Sequence, residues 1–244
     1  MPAIDGTDTH RDWTATAAMD DPRLTSPDGP ATDLILRPPL AQQVADRIVE
    51  AIAAGAIRPG QRVTDTEIAA RFGVSRNPVR EAMKILEAQG IVTSNPHRST
   101  QVVIFDQRKV AQIARARVAI EKIAFGDAAA AYAADPALLR ELDRLIEAMT
   151  QSARQQDLLG ITRADLAFHR AVCVASRNEI ILTLWETIAR HMRISFNLEL
   201  QHDNAPPLAI ASHHQALRDT LATGQRDLVE REIEGHILRL QRQA

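Results

Sequence analysis

The sequence predicts a mainly α-helical protein, in which a small helical module with a short β-hairpin precedes an antiparallel all-helical bundle. Aromatic residues make up 3% of the 244 residues while 45% are hydrophobic, a composition that favours packed helices over a β-sandwich. From residue 106 onward, amphipathic 3.6-residue periodicity continues with only brief interruptions by Pro, Asn and Gly. Helices joined by short loops are expected to pack antiparallel.

Composition also limits the class of protein. No apolar run approaches a membrane span, and residues 1–39 lack the pattern of a signal peptide, so we expect a cytoplasmic protein that does not enter a membrane. The single cysteine, Cys173, agrees with a reducing compartment. Residues 1–39 carry net charge −4 without periodicity, and we interpret them as a disordered tail.

Residues 40–105 show the element order of a winged helix-turn-helix. An amphipathic helix over residues 40–57 is followed by a helix that begins at a Thr64–Glu67 capping box and ends at Gly73. Ser75 is the N-cap candidate of the next helix, which ends at Gly90. Two short strands, IVTS and QVVIF, then form the hairpin. The second helix of such a unit presents its first turns to the DNA major groove.

Basic residues recur every four positions on that second helix, at Arg76, Arg80 and Lys84, and therefore share one face. Arg is well suited to bidentate contact with guanine, and Ser75 and Asn77 lie near the same helix end. At the hairpin tip the candidate DNA contacts are His97 and Arg98.

A solvated helix face with local salt bridges remains the alternative for these charges. Residues 40–105 have a net charge of only +2, and residues 106–244 a net charge of 0. Any DNA contact must therefore depend on the placement of a few cations rather than on bulk charge.

The string from GAIRPG through EAQGIV resembles the N-terminal domain of the GntR family of bacterial transcription factors over about 65 residues. The resemblance implies that Arg76 and Arg80 contact the operator, with a weaker expectation for Lys84. Relatives usually have Gly in the wing where this chain has Ser99, and Gly permits a closer backbone approach to DNA.

Residues 106–244 are predicted to form helices at about 107–133, 136–153, 159–175, 178–202, 207–222 and 226–242. Asp165 and His169 lie four apart on one helix and can chelate one cation. His214 and His236 lie on two later antiparallel helices, and His213 is an immediate rival of His214. Such ligands suit Zn, Ni, Co, Mn or Fe about equally, and unrelated structural roles for these histidines remain an alternative.

The helical half also resembles the FCD effector domain of the FadR subfamily, through the stretches RVAIEKIAFGDAAA, DLAFHRAVCVASRNEIIL and HHQALRDTLATGQRDLVEREIEGHIL. The resemblance implies that Asp165, His169, His214 and His236 bind a divalent metal ion and that the bundle cavity accepts a small organic acid. By the same resemblance Arg117 meets this acid, although a plain ion pair with Glu121 remains open. The weaker candidates for the pocket are Arg193, Asn197 and Trp185, the last of which is also expected in the core or a dimer contact.

The predicted function is a homodimeric transcriptional regulator that binds a palindromic operator and responds to a metabolite, with repression relieved by ligand as the usual sense in the family. The alternatives are a metal-dependent hydrolase built on the Asp/His cluster, and a ligand-binding or architectural protein whose winged helix contacts another protein. Against the hydrolase, the sequence contains no HExxH string.

Overall fold

The computed structural model describes residues 38–94, 99–202 and 207–241. The first helices and strands are α1 (Leu40–Ala53), β1 (Arg62–Val63), α2 (Asp65–Phe72), α3 (Arg76–Ala88), β2 (Val92–Ser94) and β3 (Thr100–Val102). The predicted mainly helical architecture is confirmed. Helix α1 ends at Ala53, four residues before the predicted end at 57.

Helices α2 and α3 begin and end through local backbone chemistry. Thr64 and Glu67 form the predicted capping box, in which the Thr64 hydroxyl accepts from the Glu67 amide and Glu67 accepts from the Thr64 amide. Gly73 closes α2 in a left-handed conformation at φ +66°, where other residues are strained. Ser75 occupies the N-cap position of α3, but its hydroxyl makes no capping hydrogen bond.

The sheet differs from the predicted two-stranded hairpin. The short strand β1 pairs with β3, so the antiparallel order is β1-β3-β2, with Arg62 opposite Gln101 and Val92 opposite Val102. A two-residue strand is too short to show a periodic pattern in the sequence. It forms because it pairs with β3. His97 and Arg98 lie outside the described residues.

The bundle consists of α4 (Gln107–Ala134), α5 (Pro136–Arg154), α6 (Leu158–Ala175), α7 (Glu179–His202), α8 (Leu208–Ala222) and α9 (Arg226–Gln241). Side-chain caps start four of them, because Asp106, Asp135, Asp157 and Asn178 each accept a hydrogen bond from a first-turn amide. No helix in the described part of the chain is long and apolar enough to cross a membrane.

The described residues form two hydrophobic cores, and α7 contributes to both. One core contains α1 residues such as Ile48 together with Val79 and Leu86 of α3. The other fills the bundle and includes Trp185 of α7. Ile194, on the same helix, belongs to the first core and is fully buried. Helix α7 therefore contributes side chains to both the winged-helix core and the bundle core.

Polar contacts reinforce this attachment of α7. The Asn197 amide donates to the carbonyl of Ala53, the last residue of α1, at 2.5 Å. Arg190 binds Asp46 of α1 at 3.0 Å, and a ring nitrogen of His191 lies 2.7 Å from the carbonyl of Gln89 after α3. The position of α1 and of the end of α3 thus depends on α7.

Ile194→Ala is expected to lower the free energy of unfolding by about 2–5 kcal/mol, because it opens a cavity in the winged-helix core. The change is measured by urea denaturation followed by circular dichroism. Leu40→Ala serves as the control, since Leu40 is exposed and its truncation is expected to cost less than about 0.5 kcal/mol. Equal effects of the two substitutions would show that Ile194 does not stabilise the core.

Candidate DNA-binding face and candidate metal centre

The outer face of α3 carries the basic residues that the sequence predicted for DNA. Val79, Met83 and Leu86 hold the inner face in the winged-helix core. Ser75, Arg76, Asn77, Arg80 and Lys84 are all exposed. The period of four residues therefore divides α3 into a buried face and a basic face, as expected.

Two of the three basic side chains make ion pairs at the surface. Arg80 Nε lies 3.1 Å from Asp65 Oδ2, with the Arg80 side chain 53% exposed, and Lys84 pairs with Glu81 at 2.9 Å. Exposed pairs of this kind contribute about 0–1 kcal/mol, so a phosphate or a base edge can compete for either cation. Arg76 makes no ion pair within the described ranges.

These residues border a groove of about 710 Å³ between α3, the start of α2 and the sheet. The groove is lined by the three cations together with short polar side chains, including Thr64, Thr66, Ser94, Ser99 and Thr100. Glu87 at the far end of α3 accepts a hydrogen bond from the Ser94 amide at 3.1 Å, which connects α3 to the sheet. Hydroxyl groups and cations are the side-chain groups that bind a phosphate backbone.

The predicted metal ligands come together at the centre of the bundle. Asp165 and His169 lie one turn apart on α6, His214 lies on α8 and His236 lies on α9. One ligand atom from each lies within 4.8 Å of the others, and all four residues are buried. The rival His213 is only half-buried and belongs to no such group among the described residues.

Neighbouring groups orient the imidazole rings. His214 Nδ1 lies 2.8 Å from the carbonyl of Ile210, and His169 Nδ1 lies 2.7 Å from Oε2 of Glu121. In the tautomer in which Nδ1 of each ring carries the proton, the two Nε2 atoms present lone pairs. The two Nε2 atoms are 3.2 Å apart, and that of His214 is 3.0 Å from Asp165 Oδ1. Three acceptors therefore converge on one point.

This convergence fits a bound cation. Lone pairs at such distances repel each other unless a positive charge lies between them. Both ring nitrogens of His236 are buried with no hydrogen-bond partner in the described part of the chain, an arrangement that costs free energy without a ligand. Three imidazoles and a carboxylate are suitable donors for Zn and related divalent metals.

Burial and neighbouring charges shift the pKa values of three of the candidate ligands, His169, His236 and Asp165. Burial lowers the pKa of His169, and Arg117 lowers it further; burial together with the neighbouring His214 holds the pKa of His236 well below its usual range. Burial alone would raise the pKa of Asp165, but Arg117 and His169 outweigh it and hold this pKa below the usual range. The lowered pKa values favour neutral His169 and His236 rings and an ionised Asp165 carboxylate, the forms that bind metal.

Glu121 of α4 is a functional residue that the sequence interpretation treated only as a possible partner of Arg117. It is fully buried and its Oε1 accepts from Arg117 Nε at 2.9 Å and from Trp185 Nε1 at 2.8 Å, while Oε2 faces His169. The predicted alternative for Arg117, an ion pair with Glu121, is therefore present. Trp185 lies in the core, one of its two expected places.

Arg117 keeps an unsatisfied atom beside the cluster. Its Nη2 lies 3.5 Å from Asp165 Oδ2, outside good hydrogen-bond range, and has no hydrogen-bond partner among the described residues. A cavity of about 30 Å³ reaches Arg117 from between α4, α7 and α9.

Arg193 and Asn197, predicted to line the effector pocket, face α1 instead. Arg193 lies 3.7 Å from Glu50, and Asn197 binds the Ala53 carbonyl. Neither residue borders the cavity at Arg117. Asn197 is connected to the candidate metal ligands only indirectly, through Thr162. The Thr162 hydroxyl lies 3.4 Å from Asn197 Oδ1. Thr162 itself lies about one turn before Asp165 on α6.

Two family models match the chain, the first over the winged-helix residues and the second over the helical bundle. The first describes bacterial regulatory proteins of the gntR family and matches residues 40–102; the second describes the FCD domain and matches residues 112–239. The chain belongs to the GntR family of bacterial transcriptional regulators and carries an FCD domain. The family and its relatives are regulators of transcription, so this GntR protein is a DNA-binding regulator and not an enzyme.

Curated relatives agree with the assignment. The chain is 31% identical over 203 residues to the probable D-xylose utilization operon transcriptional repressor of Paenarthrobacter nicotinovorans, covering 83% of this chain and 88% of that relative. It is 28% identical over 192 residues to the gluconate operon transcriptional repressor of Bacillus subtilis (strain 168), covering 77% of each.

Solved structures share the fold. Escherichia coli McbR/YncC superposes with a TM-score of 0.72 at 21% identity, covering 83% of this chain and 95% of that one. A putative GntR regulator from Rhodococcus sp. RHA1 gives a TM-score of 0.66 at 23% identity, with 83% and 96% covered.

His214→Ala is expected to abolish stoichiometric metal binding, because it removes an inward-facing donor, whereas His213→Ala is expected to retain it. Both full-length variants are stripped, reloaded with Zn²⁺ and assayed by elemental analysis. The opposite result would assign the ligand to His213.

Glu121→Gln is expected to weaken Zn²⁺ binding by about 10–100-fold, because the amide no longer supplies the charge that orients His169. Competition with a chromogenic chelator measures the affinity. Glu186→Gln is the matched control, since Glu186 lies on the surface and pairs with Arg170. Equal affinities in both variants would mean that Glu121 does not support the site.

Proposed function

We propose that this regulator is a homodimeric repressor of the FadR subfamily that binds a palindromic operator and releases it on binding a small organic acid beside a divalent metal ion. The observation that carries the proposal is the exposed basic face of α3, formed by Arg76, Arg80 and Lys84, beside the groove next to the sheet. The two relatives described above are named as operon transcriptional repressors, one of them as a probable one. Such a protein acts on cytoplasmic DNA.

The DNA-binding role of α3 is supported by the positions of its basic residues on the helix. Arg76 and Arg80 are one turn apart at the N-terminal end, where free backbone amides also favour a phosphate. Asp65 orients Arg80 without burying it. We assign base contacts to Arg76 and Arg80, and phosphate or neighbouring contacts to Ser75, Asn77, Lys84, His97 and Arg98.

Dimerisation is supported by an apolar surface on the bundle. Helices α4 and α7 run antiparallel, since Glu121 contacts Trp185 and Asp127 contacts Asn178. Between these contacts lie the exposed side chains of Ile123 on α4 and of Ile180 and Leu184 on α7. Such a cluster is typical of a protein–protein interface, and a second copy covers it with its own equivalent residues.

The effector site in this proposal is the cavity at Arg117. Asp165, His169, His214 and His236 would hold the metal, which supplies a Lewis-acidic position for one carboxylate oxygen of the effector. Arg117 would bind the other oxygen. The apolar cavity and the two cationic groups support an organic anion as the ligand.

Communication between the sites is assigned to α7. Near the metal this helix is held by Glu121 through Trp185, and near the DNA module by Ala53 through Asn197. A ligand that displaces α7 therefore moves α1, and by linkage operator binding changes the effector affinity by the same factor.

Arg76→Ala and Arg80→Ala are each expected to weaken operator binding by about 1–3 kcal/mol and to relax the preference at particular base pairs. Fluorescence anisotropy with an operator selected from a random library provides the measurement. Arg144→Ala, on the exposed face of α5, controls for loss of a positive charge. Unchanged base preference in both α3 variants would refute the base contacts.

Ile123→Glu is expected to produce monomers and to weaken binding to the full palindrome about 100-fold, since the second half-site is no longer bound by the same particle. Sedimentation velocity gives the oligomeric state. Leu208→Glu is the control, because Leu208 is an exposed residue of α8 outside this apolar surface. It introduces the same charge and is expected to leave the dimer intact. A dimer that persists in Ile123→Glu would exclude this surface.

A further inference from the structure

A second cleft lies between the first helix of the winged-helix module and the bundle. Its volume is about 390 Å³, and it is bordered by Gln42 and Asp46 of α1 and by residues of α6 and α7. Small-molecule sites commonly have volumes of roughly 300–1,000 Å³ and often lie where domains meet. This interdomain cleft is separate from the cavity at Arg117, because the two share no lining residue. The protein therefore offers space for a second ligand.

The lining of the interdomain cleft has an excess of positive charge. Four arginines border it against two carboxylates, namely Arg163, Arg170, Arg190 and Arg193 against Asp46 and Glu186. Arg170 donates to Glu186 at 2.6 Å, and Arg190 donates to Asp46 at 3.0 Å. These two ion pairs use both carboxylates, so Arg163 and Arg193 are the cations that a ligand would bind.

The carboxylates nearest to Arg163 and Arg193 hold them only loosely. Arg193 Nη1 lies 3.7 Å from Glu50 Oε1, and Arg163 Nη2 lies 4.0 Å from Asp157 Oδ2, both beyond hydrogen-bond range. Arg193 Nε is also buried, with no hydrogen-bond partner in the described part of the chain. A buried donor without a partner costs free energy, which a bound acceptor recovers.

Arg163 and Arg193 border the same space from two helices. Both also line an adjoining cavity of about 110 Å³, so α6 and α7 present them to one region. The two oxygens of a carboxylate match a single Arg fork. A phosphate ester carries a charge of about −1.5 to −2 on three acceptor oxygens, which two guanidinium groups can share. The arrangement therefore favours a phosphate group.

The interdomain cleft is larger than a phosphate group needs. Leu166 and Ala167 of α6 and Ala189 of α7 add apolar side chains to its walls. An organic group attached to the phosphate can pack against these side chains and gain affinity by burying apolar surface. Gln42 supplies an amide at the α1 side of the cleft, where a polar group of the ligand can bind.

We propose that the interdomain cleft binds a small organic phosphate monoester, with its phosphate between Arg163 and Arg193 and its organic part against α6 and α7. The site contains none of the candidate metal ligands. It is additional to the effector site at Arg117, and the inference of binding does not depend on that assignment.

The phosphate would compete with Glu50 for Arg193. Glu50 lies on α1, so this ion pair is one of the links between α7 and the winged helix. A phosphate that draws Arg193 to itself removes the link and places a negative charge beside the α1 carboxylates. Such a ligand changes the hold of α7 on α1, and this consequence rests on the proposed regulatory function.

The first test is isothermal titration calorimetry of the full-length protein with glucose 6-phosphate, inorganic phosphate and glucose. Glucose 6-phosphate is expected to bind at least about 10-fold more tightly than either of the others, because it alone has both the charged and the organic part. Equally tight binding of inorganic phosphate would assign the site to the free ion and refute the ester. Equally tight binding of glucose would refute recognition of the phosphate.

Two substitutions locate the site. Arg163→Gln and Arg193→Lys are each expected to weaken glucose 6-phosphate binding about 10-fold, because the first removes a charge and the second removes the fork that binds two oxygens. Arg163 is exposed, so its replacement is expected to leave the fold intact. Arg144→Ala removes a positive charge from exposed α5 and is expected to retain the affinity. Unchanged binding in both cleft variants would place the phosphate elsewhere and overturn the proposal.

Glu50→Gln tests the competition with α1. The affinity for glucose 6-phosphate is expected to rise about 3-fold, because the carboxylate that attracts Arg193 is lost. Glu147→Gln on exposed α5 is the matched control and is expected to leave the affinity unchanged. An affinity that does not rise in Glu50→Gln would refute the competition.

Operator binding distinguishes the site from its regulatory role. By linkage, a change in operator affinity at saturating glucose 6-phosphate would support the connection through α1. An unchanged operator affinity with bound glucose 6-phosphate would retain the site and refute the connection. A protein that binds its operator selectively but no glucose 6-phosphate would refute the site and leave the proposed regulator intact.

Discussion

The burial of three charged groups in the middle of the bundle constrains the remainder of the effector half. Arg117 and Glu121 lie one turn apart on α4, and Asp165 and His169 lie one turn apart on α6. Cross-pairs between the helices, Arg117 with Asp165 and Glu121 with His169, determine how α4 lies against α6. Loss of one partner leaves a buried charge uncompensated at a cost of about 3–5 kcal/mol. The candidate metal ligands are therefore positioned by electrostatic pairing as well as by apolar packing.

Helix α7 extends the influence of this constraint to the winged helix. Glu121 holds its first half through Trp185, and Ile194 and Asn197 in its second half belong to the packing of α1. A continuous helix such as α7 can transmit a shift from one end to the other, because its turns are joined by backbone hydrogen bonds. The two parts of the chain are thus joined by packing, in addition to the short connection between β3 and α4.

Sequence periodicity predicted the features that depend on a single helix. It did not predict features whose position depends on contact with a segment distant in the chain. The basic face of α3 and the Asp165–His169 pair follow from a spacing of four residues, and the capping box at Thr64 follows from local chemistry. The pairing of β1 with β3 and the contact of Asn197 with Ala53 each depend on a segment far away in the chain. His214 was preferred to His213 through the family resemblance, and the structure groups it with the other three candidate ligands. Glu121 was recognisable as a partner of Arg117, but its contacts with His169 and Trp185 required the helices to be assembled.

In the proposed regulator, Arg117 has two functions that compete. It is the counter-ion of Glu121, and it is also the group with an unsatisfied buried nitrogen toward the effector. An anion that draws the guanidinium toward itself weakens the Arg117–Glu121 pair, and Glu121 then depends more strongly on Trp185 and His169 for its hydrogen bonds. Because Trp185 belongs to α7, this redistribution acts on the helix that supports α1. A ligand that interacts differently with two positions of α7 would meet the thermodynamic requirement for shifting the equilibrium between them.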